Sequence, residues 1–295
     1  GGVNFMKKIL MVGVLLTTLL FGGCTSNKKT VNENITSEDL KYSTMDDTAT
    51  QDKVYKFLSE NNIDKNDIDM FMKSVKSYYK SVEGVDLLNE NERLSKLQVP
   101  YNLYDLSDKW LASSPNFTDE NCRLTAFRLF NDFIIDNSKL SYDKIDNTNL
   151  ELDLSTMENN PNAKFSKEDM NKFFNFFSNI KVTDSNNINQ CAKEIAKELE
   201  NRKISFKSDE NISIINGYVP DEENNALFVG HTGVAINTKD GVVFVEKYGF
   251  ELPYQITLFK NKEELKLYMT DRLKTSFTGE SQSYDPIIME NNKLM

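Results

Sequence analysis

The sequence predicts an α+β fold, helical at first and closing on an antiparallel sheet. Two observations carry this. Apolar residues recur at helical spacing in successive segments up to Arg202, and from Ile204 onward the apolar period falls to two. Helices first and strands later is the ordering of α+β proteins. Of the 295 residues, roughly 250 are free to fold, enough for one core or one core plus a small helical subdomain.

The chain opens on a segment with a different purpose. Met6 precedes Lys7-Lys8 and an apolar run from Ile9 to Phe21, followed by Gly22-Gly23-Cys24. A positive start, an apolar middle and small residues at a cut site form a secretory signal peptide over residues 1–23, too short to span a bilayer. Gly1 to Phe5 fit no part of it and can be encoded by a ribosome-binding site with its spacer, so Met6 is the expected start. Cysteine directly after the small residues resembles a bacterial lipobox, although Phe21 stands where leucine is usual. That resemblance implies lipidation at Cys24 and anchoring on the outer face of the cytoplasmic membrane. Each buried CH₂ contributes about 0.8 kcal/mol, so two or three acyl chains hold where one does not.

Residues 24–50 are rich in Ser, Thr, Asn, Lys and Asp without apolar periodicity and read as a flexible tether. Residues 51–295 are expected to form one α+β domain. Helices are predicted near Gln51–Asn61 and Asp64–Val82, the latter with Ile68, Phe71, Met72, Val75 and Tyr79 on one face. A loop-rich stretch runs to Pro100, followed by helices near Leu106–Ala112 and Asp119–Ile135. Ser166-Lys167-Glu168-Asp169 is a capping-box-like start for a helix through Phe177, and Asn187–Arg202 is another. Strands are predicted near Ile212–Ile215, Ala226–Val229, Thr232–Asn237, Val242–Lys247 and Gln255–Leu258. A helix over Asn261–Leu273 and a polar tail complete the chain.

The net charge of −10, from 45 acidic and 35 basic residues, gives no basic face for nucleic acid. A single histidine excludes multi-histidine zinc sites. Neither a G-x-S-x-G elbow nor a Walker A loop occurs. No cofactor or metal is expected.

With Cys24 assigned to lipid, Cys122 and Cys191 remain. Cys191 shares a helical stripe with Ile188, Ala192, Ile195 and Leu199 and reads as core packing. Cys122 falls in the first turn of its helix, where unpaired N–H groups and the helix dipole favour a thiolate. It also leads an apolar face of Ala126, Leu129, Phe130 and Phe133, and from these features alone core packing, or a disulfide to Cys191 outside the cytoplasm, is the commoner outcome. His231 is the only imidazole available to a thiol. Gly233 and Ala235 follow on its face of a strand, and small residues there let a helix approach closely. A two- or four-residue turn at Asn237–Gly241 puts Glu246 on the face of His231; a three-residue turn with a bulge turns it away.

Asn121-Cys122-Arg123, Gly230-His231, Phe244-Val245-Glu246-Lys247, Pro253-Tyr254-Gln255 and Ile288-Met289-Glu290-Asn291 resemble the exported Gram-positive lipoproteins grouped as domain of unknown function 4300, from about Tyr101 to the C-terminus. More distantly, the order Cys122, His231, Glu246 is similar to the papain-like NlpC/p60 cysteine hydrolases of cell-wall peptides. That resemblance implies a papain-like core over about 101–295, with an N-terminal helical extension to about 100 and a helical insertion before the antiparallel sheet. It implies Cys122 as nucleophile, His231 as base and Glu246 as the group orienting the imidazole. It also implies an oxyanion site at the Cys122 N–H, with a second donor sought near Tyr101 or Asn102. The long segment between Cys122 and His231, and Asn121 where those enzymes carry aspartate, depart from the pattern. The expected activity is hydrolysis of an extracytoplasmic amide or ester, in cell-wall peptide or a surface protein. The alternatives are a binding or adaptor lipoprotein on the same fold, and a module stapled by Cys122–Cys191.

Overall fold

The structure is a computed structural model describing residues 42–85, 87, 102–113, 117–145, 148–208, 211–275 and 284–295. The signal segment, Cys24 and most of the loop-rich stretch before Pro100 lie outside the described residues. The elements are β1 (Tyr42–Ser43), α1 (Thr48–Glu60), α2 (Lys65–Ser81), α3 (Leu103–Ser113), α4 (Cys122–Phe130), β2 (Ile134–Asp136), α5 (Glu151–Asn159), α6 (Lys167–Phe177), β3 (Ile180–Lys181), α7 (Ile188–Asn201), β4 (Ile204–Phe206), β5 (Ile212–Asp221), β6 (Ala226–Thr238), β7 (Gly241–Lys247), β8 (Tyr254–Phe259), α8 (Lys262–Thr275), β9 (Ile287–Glu290) and β10 (Lys293–Leu294). The arrangement is α+β. No described helix is long and apolar enough to cross a membrane.

Helix starts follow their side chains. Asp47, Asp64, Asn121, Ser166 and Asn187 each accept a first-turn N–H of α1, α2, α4, α6 and α7. α4 is shorter than the expected Asp119–Ile135. After a 3₁₀ turn at Asn131–Phe133 the chain becomes β2, with Ile135 opposite Ser205 of β4. Phe133-Ile134-Ile135 suits a buried helix end or a strand, and the β-branched pair settles into the strand.

The main sheet runs β1-β8-β7-β6-β5-β9-β10, with β3 paired to the far end of β6. The stretch read as a tether already contributes here, since Tyr42 pairs with Thr257 and α1 begins at Thr48. The expected polar tail instead contains β9, whose Ile287, Ile288 and Met289 are buried against β5. The two short strands expected at Ala226–Val229 and Thr232–Asn237 form one strand, β6. Its pairing with β5 shifts by one residue, from Gly217–His231 to Tyr218–Val229, leaving Gly230 as the extra residue of a bulge.

Each face of the sheet has its own core. On one, Leu124, Phe127 and Phe130 of α4 cluster with Val234, Ile236 and Val245, backed by Phe173 and Phe177 of α6. On the other, Leu265, Tyr268, Met269 and Leu273 of α8 cover Ile215, Ala235, Phe244, Phe259 and Ile288. Burying those four α8 side chains contributes roughly 6–12 kcal/mol gross, enough to fix that helix against the sheet.

Candidate functional site

The hairpin register decides where Glu246 points. Thr238 pairs with Gly241 across a two-residue turn, and the ladder continues through Ala235–Phe244 to Val234–Val245. Gly241 makes this turn feasible: its φ is +142°, and a Cβ there would collide with the Phe259 carbonyl. Glu246 therefore shares a face with Phe244, Gly233 and His231. Glu246 Oε2 is hydrogen-bonded to His231 Nε2. Its other oxygen, Oε1, accepts from Gln255 Nε2 at 2.7 Å and from the Tyr268 hydroxyl.

Cys122 joins this group. Its thiol is close enough to His231 for the imidazole to act on it directly, while Nε2 of the ring is committed to Glu246. Cys122, His231 and Glu246 are 8%, 2% and 1% exposed. The small-residue face expected to admit the cysteine-bearing helix does something else. Gly233 leaves room for the Phe244 ring and Ala235 packs in the α8 core, while α4 lies against the opposite face. Contact with His231 is made where the sheet opens. The β6–β7 ladder ends at Val234–Val245, whereas β6 continues with β5 to Ala226 and β7 continues with β8 to Lys247–Tyr254.

Burial raises the Cys122 thiol, but the His231 hydrogen bond and charge, helped by Arg123 and Arg272, outweigh it and bring the thiol below its ordinary value. The balance at Glu246 is alike: burial raises it, and His231, Arg272 and Tyr268 hold it below the ordinary carboxylate range. Cys191 goes the other way, raised by burial and by Glu194 and Asp184. Both cysteines are free, which overturns the Cys122–Cys191 staple.

The residues flanking Cys122 are each tied to a buried partner, and this network was not read from the sequence. Asp119 Oδ2 meets Lys247 Nζ at 2.9 Å, and the ammonium also sits 3.6 Å from the centre of the Tyr78 ring. Burial pushes Lys247 down to about 8 against the pull of Asp119. Glu120 pairs with Arg128 at 2.6 Å. Asn121 caps α4 through its oxygen and donates its amide N–H to Asp153, which also binds Arg123 at 2.6 Å. A signal existed in Glu246-Lys247, two charges in a row on a strand otherwise apolar on both faces. Asn102, considered as a second oxyanion donor, is exposed, and its side-chain oxygen caps α3; Tyr101 lies outside the described residues.

Fold and site together define an α+β protein with a buried Cys–His–Glu cluster at an opening in its sheet. The chain belongs to the family described as Domain of unknown function (DUF4300), whose model matches residues 41–295. No curated protein and no solved structure matches the chain.

Proposed function

We propose that this protein is a cysteine hydrolase of amide or ester bonds on a papain-like core, exported and held by lipid at Cys24 on the outer face of the cytoplasmic membrane. Cell-wall peptide or a surface protein is the substrate. The observation that carries the reading is the Cys122–His231–Glu246 cluster with its depressed thiol at a helix start. In the reaction the Cys122 thiolate attacks the carbonyl carbon, forming an S–C bond and moving the carbonyl π electrons onto oxygen. The oxyanion faces the Cys122 N–H, at the helix end where backbone donors have no intrahelical partner. His231 gives its proton to the departing amine or alkoxide as the C–N or C–O bond breaks. It then takes a proton from water as the water oxygen bonds to the thioester carbon, and collapse of that adduct breaks the S–C bond, freeing the acid and restoring the Cys122 thiolate beside protonated His231. Glu246 holds the imidazole orientation and compensates its charge.

The test needs no substrate. Cys122 should be alkylated by iodoacetamide at mildly acidic pH much faster than Cys191, and His231→Ala should slow Cys122 while sparing Cys191. Equal rates at the two cysteines, or no response of Cys122 to the histidine change, ends the hydrolase reading. The second reading, a non-catalytic adaptor, is favoured by the slight exposure of Cys122 and His231, and it predicts that iodoacetamide leaves Cys122 unmodified in the folded protein.

A further inference from the structure

The buried cations around the start of α4 are matched with carboxylates, except one. Lys247 has Asp119, Arg128 has Glu120, and Arg123 has Asp153. Arg272, in the last turn of α8, has no ion pair to a carboxylate among the described residues, yet it is only 8% exposed. Its guanidinium carbon lies 3.3 Å from the centre of the Tyr248 ring, and one terminal nitrogen donates to the Tyr248 carbonyl. Its Nε has no hydrogen-bond partner among the described residues. The Tyr248 ring is itself 6.4 Å from the His231 ring. Glu246 lends Arg272 charge at longer range, but its oxygens are engaged by His231, Gln255 and Tyr268.

A guanidinium carries five donors in a planar fork matched to a carboxylate. Leaving that charge buried without a counterion is costly, and dipole compensation at a helix end is equally served on the surface. We propose that Arg272, stacked on the Tyr248 ring that neighbours His231, is an anion subsite that binds a carboxylate of the substrate. The preferred substrate is then an acyl compound with a negative charge close to the bond that is cut. This rests on the cysteine-hydrolase reading for the chemistry, while the subsite itself is tested separately.

Iodoacetate and iodoacetamide share the reacting carbon and differ in charge. Each alkylates a thiolate as the S–C bond forms and iodide leaves, so the ratio of their rates cancels the fraction of Cys122 ionised. In the full chain carrying Cys191→Ser, the iodoacetate-to-iodoacetamide ratio at Cys122 should exceed that of free cysteine in the same buffer by about tenfold or more. Arg272→Gln should return it to the free-cysteine value, and Arg272→Lys should retain part of the preference. A ratio equal to that of free cysteine with Arg272 present, or one unchanged in a folded Arg272→Gln protein, overturns the subsite. Should Arg272→Gln fail to fold, the protein with Arg272 intact still decides: acetate should slow iodoacetamide alkylation of Cys122 where acetamide does not, and absence of that protection also overturns it. Failure of the hydrolase reading looks different, because the iodoacetamide rate alone would then ignore His231→Ala.

Discussion

Glu246→Gln isolates the charge of the third residue while keeping its shape. In the native protein the Glu246 carboxylate receives His231 Nε2, Gln255 Nε2 and the Tyr268 hydroxyl, all in a buried setting. Glutamine retains one accepting oxygen but cannot compensate an imidazolium. A hydrogen bond to a charged group contributes about 1.5–3 kcal/mol. Its loss should raise the Cys122 thiol, and at pH values below the thiol's pKa the thiolate fraction falls in proportion, so iodoacetamide alkylation there should slow roughly 10- to 100-fold. The profile should shift to higher pH while keeping a similar plateau. A rate within about threefold of the native one across that range would refute the argument that Glu246 stabilises the ion pair. Stability supplies a second sign. Because the folded Glu246 carboxyl lies below its ordinary value, its contribution is complete above the unfolded pKa and disappears as pH falls through the folded one. Urea unfolding should show the glutamine protein losing less stability on acidification.

Other substitutions probe the frame. Asp67 is partly buried near Asp132, Asp64 and Asp169, and burial first, then those charges, raise its carboxyl to about 6. Its ionised form is therefore disfavoured on folding, and Asp67→Asn should add about 1 kcal/mol at pH 7 after discounting for solvent exposure, with the gain vanishing below about pH 4 in urea titrations. Gly233→Ala would place a Cβ against the Phe244 ring and the Val245 carbonyl, and should lower the urea midpoint by an amount equivalent to about 1–3 kcal/mol. Glu120→Leu or Arg128→Met alone should cost about 3–5 kcal/mol by leaving a buried charge unpaired, and the double change should recover most of it in the same assay.

The change of period at Ile204 marks the sheet half of the α+β fold: β7 and β8 appear close to where it places them, whereas β5 runs on to Asp221 and two expected strands are the single β6. The Ser166 cap was equally legible, because it acts within three residues of itself; Asn121 caps α4 as locally, but the helix was expected to begin earlier, at Asp119. Elements that escaped depend on distant partners. β1 is two residues long and exists through Thr257 and Ile256 of β8. β9 is four residues long and lies beside β5, more than 65 residues earlier in the chain. A short apolar run carries no period of its own, so nothing local marks it as a strand.

The site divides along the same line. Cys122 and His231 could be singled out from local features, a helix start and the only imidazole, and Glu246 from an arithmetic of strand register that needed only the turn length. What could not be read was how the sulfur reaches the imidazole, because α4 and His231 belong to opposite faces of the sheet. One irregularity allows it: β7 leaves β6 beyond Val245 and follows β8 instead, opening the sheet beside His231. The bulge at Gly230 comes after that point, letting Val229 join the α4 core while His231 keeps the face of Gly233 and Glu246. Helix α4 presents its first residue at that opening, held by ion pairs from Asp119 and Glu120 and by the Asp153 carboxylate behind Asn121 and Arg123. A regular, fully paired sheet would have left the thiol and the imidazole on opposite sides of a backbone layer. The split ladder is therefore as necessary to the cluster as its three side chains, and it arises from pairings between strands that no local window of sequence contains.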